Sequence, residues 1–359
     1  MAEAKSIESL SLFFTAGAAA GSLLAGSSAG PVCALILPIA SLPFFLRGKL
    51  LKQSPKAIGA LFCATFLLLG LFCALNASMI PHTGGSALTR QAAACAERLK
   101  EIIGSIPFRS SNTAPLLKAL FTGDRSALPR ELTEAFRQSG ASHILALSGL
   151  HMGIIYMVFD RLSRVLGRSP AARYARFFLM MSAAGFFTIM TGASPSIVRA
   201  FLFILINEIL NLTGRPRKAV RVLCLALLVQ LVLQPEVIGT LGFQLSYLAM
   251  GGIFILYPVM EKWYPESGSP LRWVWKSAAL AISCQVFTAP LVWIRFHTFP
   301  RYFLLTNLMA MPLTTALMTS ALVTITLAAF GVTPQQSTAL TDGLCNLLTG
   351  ILETIASLP

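Results

Sequence analysis

YFLLTNLMAMPLTTALMTSALVTITLAAF, Tyr302 to Phe330, decides the fold class. It is apolar over more than the roughly 20 residues that carry an α-helix across a bilayer core of about 30 Å. No Asp, Glu, Lys or Arg interrupts it. Working outward, comparable segments run from Ser11 to Ala29, Pro31 to Leu46, Ala57 to Met79, Ser142 to Phe159, Phe177 to Ala193 and Ser196 to Leu212. Others follow at Ala219 to Leu233, Leu241 to Met260, Ser277 to Ile294 and Leu344 to Leu358. About eleven segments result, and those that are short or carry internal Gly and Pro are expected to be broken or re-entrant helices. The expected fold is all-α, a polytopic α-helical integral membrane protein.

Composition agrees. Of 359 residues, 55% are hydrophobic and 12% charged, with mean hydropathy +0.72, whereas soluble domains carry about 25% charged residues. Against 14 Asp and Glu stand 28 Lys and Arg, a formal charge of +14. Cytoplasmic loops of any membrane protein collect basic residues, so this excess alone argues only weakly for an anionic cargo. Three basic clusters orient the chain: Arg47, Lys49, Lys52 and Lys56; Arg161, Arg164, Arg168, Arg173 and Arg176; Arg215, Arg217, Lys218 and Arg221. All are expected to face the cytoplasm. The tips at Ala193 to Pro195 and Pro235 to Leu241, and the polar stretch from Pro81 to Ala141, then face outward.

Within that outer stretch, Pro129 suits a first helical turn, Leu132, Ala135 and Phe136 share one apolar face, and Gly140 can end the helix. This is the pattern of an amphipathic helix at a membrane surface. In the first segment, Gly17 and Gly21 have the GxxxG spacing that lets another helix approach closely, though Ala/Gly richness alone produces it as readily. His82, His143, His151 and His297 are not joined by Cys or carboxylates at a ligand spacing, so neither a metal site nor any other cofactor is expected. Cys33, Cys63, Cys73, Cys224, Cys284 and Cys345 fall in apolar stretches and Cys95 stands alone outside, which implies no disulfide framework.

Three stretches combine Gly, Ser and Pro with polar or ionisable groups in apolar surroundings, where such groups need a protein or water partner. ALFTGDRSALPRELTEAFRQSGASHILALSGLHMGII, Ala119 to Ile155, leads a polar helix into His143, Ser148 and His151. TGASPSIVRAF, Thr191 to Phe201, breaks at Pro195 and carries Arg199 into a span. LGFQLSYLAMGGI, Leu241 to Ile253, brings Gln244 and Tyr247 into the bilayer on one helical side.

SGLH at Ser148 to His151, TGASPSIVRA at Thr191 to Ala200 and GFQLS at Gly242 to Ser246, in this order, resemble the ComEC competence protein family. SCQVFTAPLVWIRFHTFPRYFLLTNLMAMPL, Ser283 to Leu313, is a fourth similarity, and the likeness covers about 119–313. The resemblance implies an inner (cytoplasmic) membrane, multi-pass channel that translocates single-stranded DNA into the cytoplasm during natural transformation, not an enzyme and without catalytic residues. It divides the chain into N-terminal membrane spans (1–80), an extracytoplasmic polar segment with the interfacial helix (81–141) and a competence-type transmembrane pore domain (142–359). It also implies partners: membrane lipids, a cytoplasmic helicase-like ATPase, an extracytoplasmic DNA receptor and a nuclease. Family members usually carry an OB-like domain after the early spans and often a metallo-β-lactamase-like domain. Neither is expected here.

A strand with one negative charge per nucleotide needs a wet path with positive potential and stacking surfaces. Arg199 is the sharpest candidate for a phosphate contact, with His151, Gln244, Tyr247, Ser148, Gln285 and Asn307 as polar or stacking neighbours. Gly149, Gly153, Gly192, Pro195 and Gly242 are expected to permit close packing or helix breaks. Arg199 has an alternative structural role, paired with Glu208 from another helix or snorkelling outward. A helicase-like partner is needed for force because no G-x-x-x-x-G-K-[ST] phosphate loop occurs. Three other readings stay open: an exporter or channel for another anionic polymer or lipid, an incomplete family member, and an intramembrane hydrolase using His143, Ser148, His151 and Glu208.

Overall fold

The computed structural model describes residues 2–24, 55–77, 87–167, 169–264, 270–297 and 299–358, and every regular element among them is helical. In chain order these are α1 (Ala2–Leu24), α2 (Pro55–Ala77), α3 (Ala87–Ser105), α4 (Thr113–Thr122), α5 (Arg130–Gln138), α6 (Ser142–Leu145) and α7 (Gly149–Ser163). They continue with α8 (Pro170–Met190), α9 (Pro195–Leu212), α10 (Ala219–Leu233), α11 (Leu241–Ile255), α12 (Tyr257–Glu261), α13 (Pro270–Phe296), α14 (Phe303–Ala329) and α15 (Gln335–Ala356). Among the described residues, four helical stretches are long and apolar enough to cross a membrane: Pro195–Leu212, Leu241–Glu261, Leu271–Phe296 and Phe303–Ala329. Ile7–Leu23, Phe62–Leu75 and Ala219–Leu233 are shorter apolar helices. The protein is an all-α membrane protein. The expected segment at Pro31 to Leu46 and the basic residues Arg47, Lys49 and Lys52 lie outside the described residues.

The chain forms two compact units, Met1–Gly84 with Phe201–Ser246, and Gly85–Ala200 with Tyr247–Pro359. In the first, α1 and α2 pack backbone to backbone. A Cβ built on Gly17 would land on the Leu67 carbonyl oxygen, and one on Gly70 would land on that of Phe14. The GxxxG spacing is therefore a contact surface, with Phe14 and Ala18 buried beside it. The helix starts earlier than its apolar segment, at Ala2. Ser11 Oγ donates to the Glu8 carbonyl at 2.8 Å and Thr15 Oγ1 to that of Ser11 at 2.7 Å, so both hydroxyls are satisfied within the helix.

In the second unit the helices of the polar stretch share one core with α14 and α15. Leu116, Leu120 and Phe136 are buried with Leu317, Met318, Leu348 and Leu352. The apolar face expected for α5 is the buried one: Leu132, Ala135 and Phe136 are 2%, 7% and 0% exposed. It is covered by the protein itself, which accounts for its burial without a lipid surface. Pro129 precedes the helix in extended conformation (φ −56°, ψ 140°), one position before the expected first turn. Gly140 follows its end in left-handed conformation, with φ +80°.

Candidate functional site

The apolar stretch expected from Ser142 to Phe159 is broken, as its Gly and Ser content suggested. After α6 the backbone extends at Ala146 (φ −74°, ψ 128°) and Ser148 (φ −130°, ψ 172°), then re-enters helix at Gly149. Ser148 caps the new helix: its Oγ accepts the Leu150 N–H at 3.3 Å. In return the Ser148 N–H donates to His151 Nδ1 at 3.2 Å, and the Ser148 Oγ stands 3.1 Å from the same nitrogen. This is a capping box with imidazole where Glu or Gln is usual. The α6 end is closed by Arg125, whose Nη2 donates to the Leu145 carbonyl at 2.9 Å.

Because Nδ1 accepts the Ser148 N–H, the neutral His151 ring carries its proton on Nε2. His151 is fully buried, and among the described residues its Nε2 has no partner.

The second break follows α8. Gly192 and Ala193 both adopt left-handed backbone, φ +75° and +49°, and the Ala193 N–H reaches back to the Thr188 carbonyl at 2.8 Å. Positive φ at a non-glycine costs about 1–3 kcal/mol, so the surrounding structure holds this turn in place. Ser194 follows, and Pro195 opens α9 with its ring-fixed φ. The Ser194 Oγ is buried and, among the described residues, unpartnered.

The start of α7 meets α9 beyond its first turn. A Cβ on Gly149 would stand 3.7 Å from the Arg199 guanidinium and 3.7 Å from the Ala200 Cβ, so the first turn of α7 packs against α9. The Arg199 Cζ lies 6.0 Å from the centre of the Tyr247 ring, within cation–π range. The structure thus brings Gly149 and Tyr247 to Arg199, while Ser148 and His151 bond each other at the same start of α7.

Other expected residues sit elsewhere. Gln244 donates its Nε2 to the Ile238 carbonyl at 2.9 Å and so closes the turn before α11. Asn307 donates to the Phe303 carbonyl at 2.8 Å and stands beside the His143 ring, whose Nδ1 is 3.1 Å from the Gly140 carbonyl. Gln285 is half-buried on α13. Gly153 and Gly242 make no close approach, since a Cβ there meets nothing within 4 Å among the described residues. Glu208 accepts the Asn211 Nδ2 at 3.3 Å, and Asn211 in turn receives Arg217. Glu208 thus joins the polar end of α9 near the third basic cluster.

Two residues escaped the sequence reading. Arg125 is one. The other is Asp342, 5% exposed, which accepts the Thr113 hydroxyl and the Arg109 N–H and so ties α15 to the start of α4. A carboxylate just ahead of an apolar run was its only signal. Among the described residues, no group of three or more His, Cys, Asp or Glu side chains could hold a metal ion.

The family described as Competence protein matches residues 120–359. The chain is 25% identical over 201 residues to ComE operon protein 3 of Bacillus subtilis, covering 55% of this chain and 24% of that protein. It is 24% identical over 207 residues to Recombination protein 2 of Haemophilus influenzae (55% and 26%) and 35% identical over 94 residues to Competence protein ComA of Neisseria gonorrhoeae (25% and 14%). The matches thus span about a quarter or less of these relatives' own length. No solved structure gives a significant match.

Proposed function

The chain belongs to the Competence protein family, and from that membership we propose that it is a multi-pass inner-membrane channel passing single-stranded DNA into the cytoplasm during natural transformation. The observation that carries this reading is Arg199 over the Tyr247 ring, beside the start of α7. A guanidinium supplies the positive potential a phosphate needs and a phenol ring offers a face on which any base stacks. Both stand on helices of apolar sequence, where polar groups serve paths and sites more often than packing. Ser148, His151, Gln244, Gln285 and Asn307 are the further polar candidates on the path.

The same reading assigns 1–80 to N-terminal spans, 81–141 to the extracytoplasmic segment and 142–359 to the pore domain. A cytoplasmic helicase-like ATPase pulls the strand, an outside receptor delivers DNA and a nuclease discards the second strand. The test is uptake of end-labelled duplex DNA into a nuclease-resistant pool by competent cells carrying the intact gene, a deletion, or Arg199→Ala at equal membrane level. Loss in both variants supports the channel and the role of Arg199. Full uptake in the deletion removes the assignment.

One observation favours a second reading, an intramembrane hydrolase: the Ser148 Oγ lies 3.1 Å from His151 Nδ1, within reach for a nucleophile and its base. The capping box accounts for both atoms without chemistry. Full uptake by a Ser148→Ala variant at equal membrane level removes the hydrolase, which cannot act without its nucleophile.

A further inference from the structure

The polar stretch reaches farther along α14 than a surface segment would. At one end, Thr306 Oγ1 donates to the Ser139 carbonyl at 2.7 Å, and Gly140 sits against Pro300 and Phe303. At the other, Asp342 accepts the Arg109 N–H and the Thr113 hydroxyl. Asp342 follows Thr341, whose hydroxyl lies 2.8 Å from Ser320 Oγ and 3.1 Å from Thr324 Oγ1, so the Arg109 backbone stands near the level of Ser320. From Thr306 to Ser320 the α14 backbone rises about 21 Å.

That distance lies within the bilayer. α14 has 27 residues, about 40 Å of helix, against a hydrocarbon core of about 30 Å. With all of the excess length placed at the Phe303 end, Ser320 still stands about 15 Å inside the core, at its midplane. One side of α14 is suited to lipid, since Leu305, Met309 and Val323 are exposed there.

The segment that reaches this depth is not suited to lipid. Between α3 and α4 the backbone at 106–112 is non-helical, and the Arg109 and Ser111 side chains are exposed. α3, 19 residues or about 28 Å long, covers the distance from the surface to this depth and packs against α8 and α14. α4 and α5 return along α15. Irregular backbone and an open guanidinium at membrane depth occur where they line water.

We propose that 87–139 form a re-entrant hairpin that enters and leaves the membrane on one side, with its tip at 106–112 held on Asp342 and lining a water-filled entry that descends to the bilayer midplane. On the orientation set by the basic clusters, the Thr306 end of α14 and the mouth of the entry face outside. The entry admits water and hydrated, charged solutes. It stands on this geometry and does not need the DNA reading: failed uptake leaves it in place, and a dry tip leaves the channel reading to its own test.

The experiment uses the full chain in sealed membrane vesicles, right-side-out and everted, treated with a membrane-impermeant sulfonated methanethiosulfonate. The parent carries Cys95→Ser, because Cys95 is the exposed thiol among the described residues, and its residual labelling is subtracted. Arg109→Cys keeps the bond to Asp342, which comes from the backbone N–H, and Ser111→Cys is a second tip variant should the first fail to accumulate. Val323→Cys and Leu340→Cys, exposed apolar positions near the level of the tip, are the lipid-facing controls. Thiolate, the reacting form, needs water, so the tip variants are expected to label about ten-fold or more faster than the controls in right-side-out vesicles.

That result supports the entry. Tip thiols silent in both vesicle types overturn it. Tip thiols that label only in everted vesicles place the tip on the cytoplasmic side and overturn the re-entrant path. Equal labelling of tip and control thiols sets the α14–α15 hairpin in water and overturns the proposal.

Discussion

The Asp342 carboxylate in α15 accepts a 2.6 Å hydrogen bond from the Thr113 hydroxyl at the first residue of α4, across 229 positions of sequence. Its other oxygen takes the Arg109 N–H at 2.8 Å. A buried carboxylate with two donors is satisfied, while the same donors facing an alanine are not. Asp342→Ala is expected to destabilise the protein by about 2–3 kcal/mol. Asp342→Asn, which keeps one acceptor, is expected to cost less. Thermal melts in detergent measure both, and a double-mutant cycle with Thr113→Val isolates the pair. Unchanged melting in Asp342→Ala would remove the latch.

Outside the membrane segments, Lys100 Nζ meets Asp124 Oδ2 at 2.7 Å and Glu97 Oε1 at 2.9 Å, and the Ser126 N–H donates to Asp124 Oδ1 at 2.9 Å. Lys100 first, then Ser126, hold the Asp124 carboxyl well below the usual carboxylate range. Asp124, then Glu97, push the Lys100 ammonium up. The folded-state value of Asp124 is depressed, so its contribution is complete above the unfolded value of about 3.9 and fades as pH falls toward the folded one. The Lys100 contribution is complete below about 10.4 and fades as pH rises through its folded value. Asp124→Asn is expected to flatten the acid limb of the melting-temperature profile, with an amplitude of about 1 kcal/mol or less that shrinks in high salt. An acid limb identical to wild type would show that the pair contributes nothing measurable.

Much of the fold was legible because its signals are local. The buried face of α5, Leu132, Ala135 and Phe136, follows from helical spacing alone. The break before Gly149 and the turn at Pro195 follow from Ser, Gly and Pro set in apolar runs. The capping role of His151 was not legible, since imidazole stands where a capping box normally has Glu or Gln. The pairings Arg125 with Leu145 and Asp342 with Thr113 were out of reach because periodicity carries no information about which distant segments meet. Gln244 and Tyr247 were expected on one helical side and have different partners: the Ile238 carbonyl for one, the Arg199 guanidinium for the other. Spacing places side chains on a face but leaves open what that face meets.

Glycines at close approaches and glycines facing open space should behave oppositely. A Cβ at Gly17 would collide with the Leu67 backbone, whereas one at Gly153 meets nothing within 4 Å among the described residues. Gly17→Leu forces α1 and α2 apart and is expected to cost about 1–3 kcal/mol or more. Gly153→Ala removes backbone freedom from the unfolded chain inside α7 and is expected to stabilise by about 0.5–1 kcal/mol. Melting temperatures that shift in the same direction for both would contradict the packing described for the first unit.

The Ser148–His151 pair allows its two jobs to be separated. As a cap, it needs an oxygen at position 148 and an acceptor at 151 that reaches the Ser148 N–H. Gln meets the second need and is the usual residue of a capping box, so His151→Gln is expected to keep the melting temperature, while His151→Leu and Ser148→Ala each lower stability by about 1 kcal/mol. As part of a transport path, His151 contributes the donor on its outer nitrogen, and the Gln amide, whose oxygen is held by the cap, carries its donors on a more flexible stem. DNA uptake measured at equal membrane level then divides the possibilities. If uptake tracks stability, with Gln active and Leu impaired, the residue serves the helix restart alone. If Gln folds normally and uptake still falls, the imidazole N–H acts on the strand, and the motif is both the reason α7 begins at Gly149 and part of what that beginning is for.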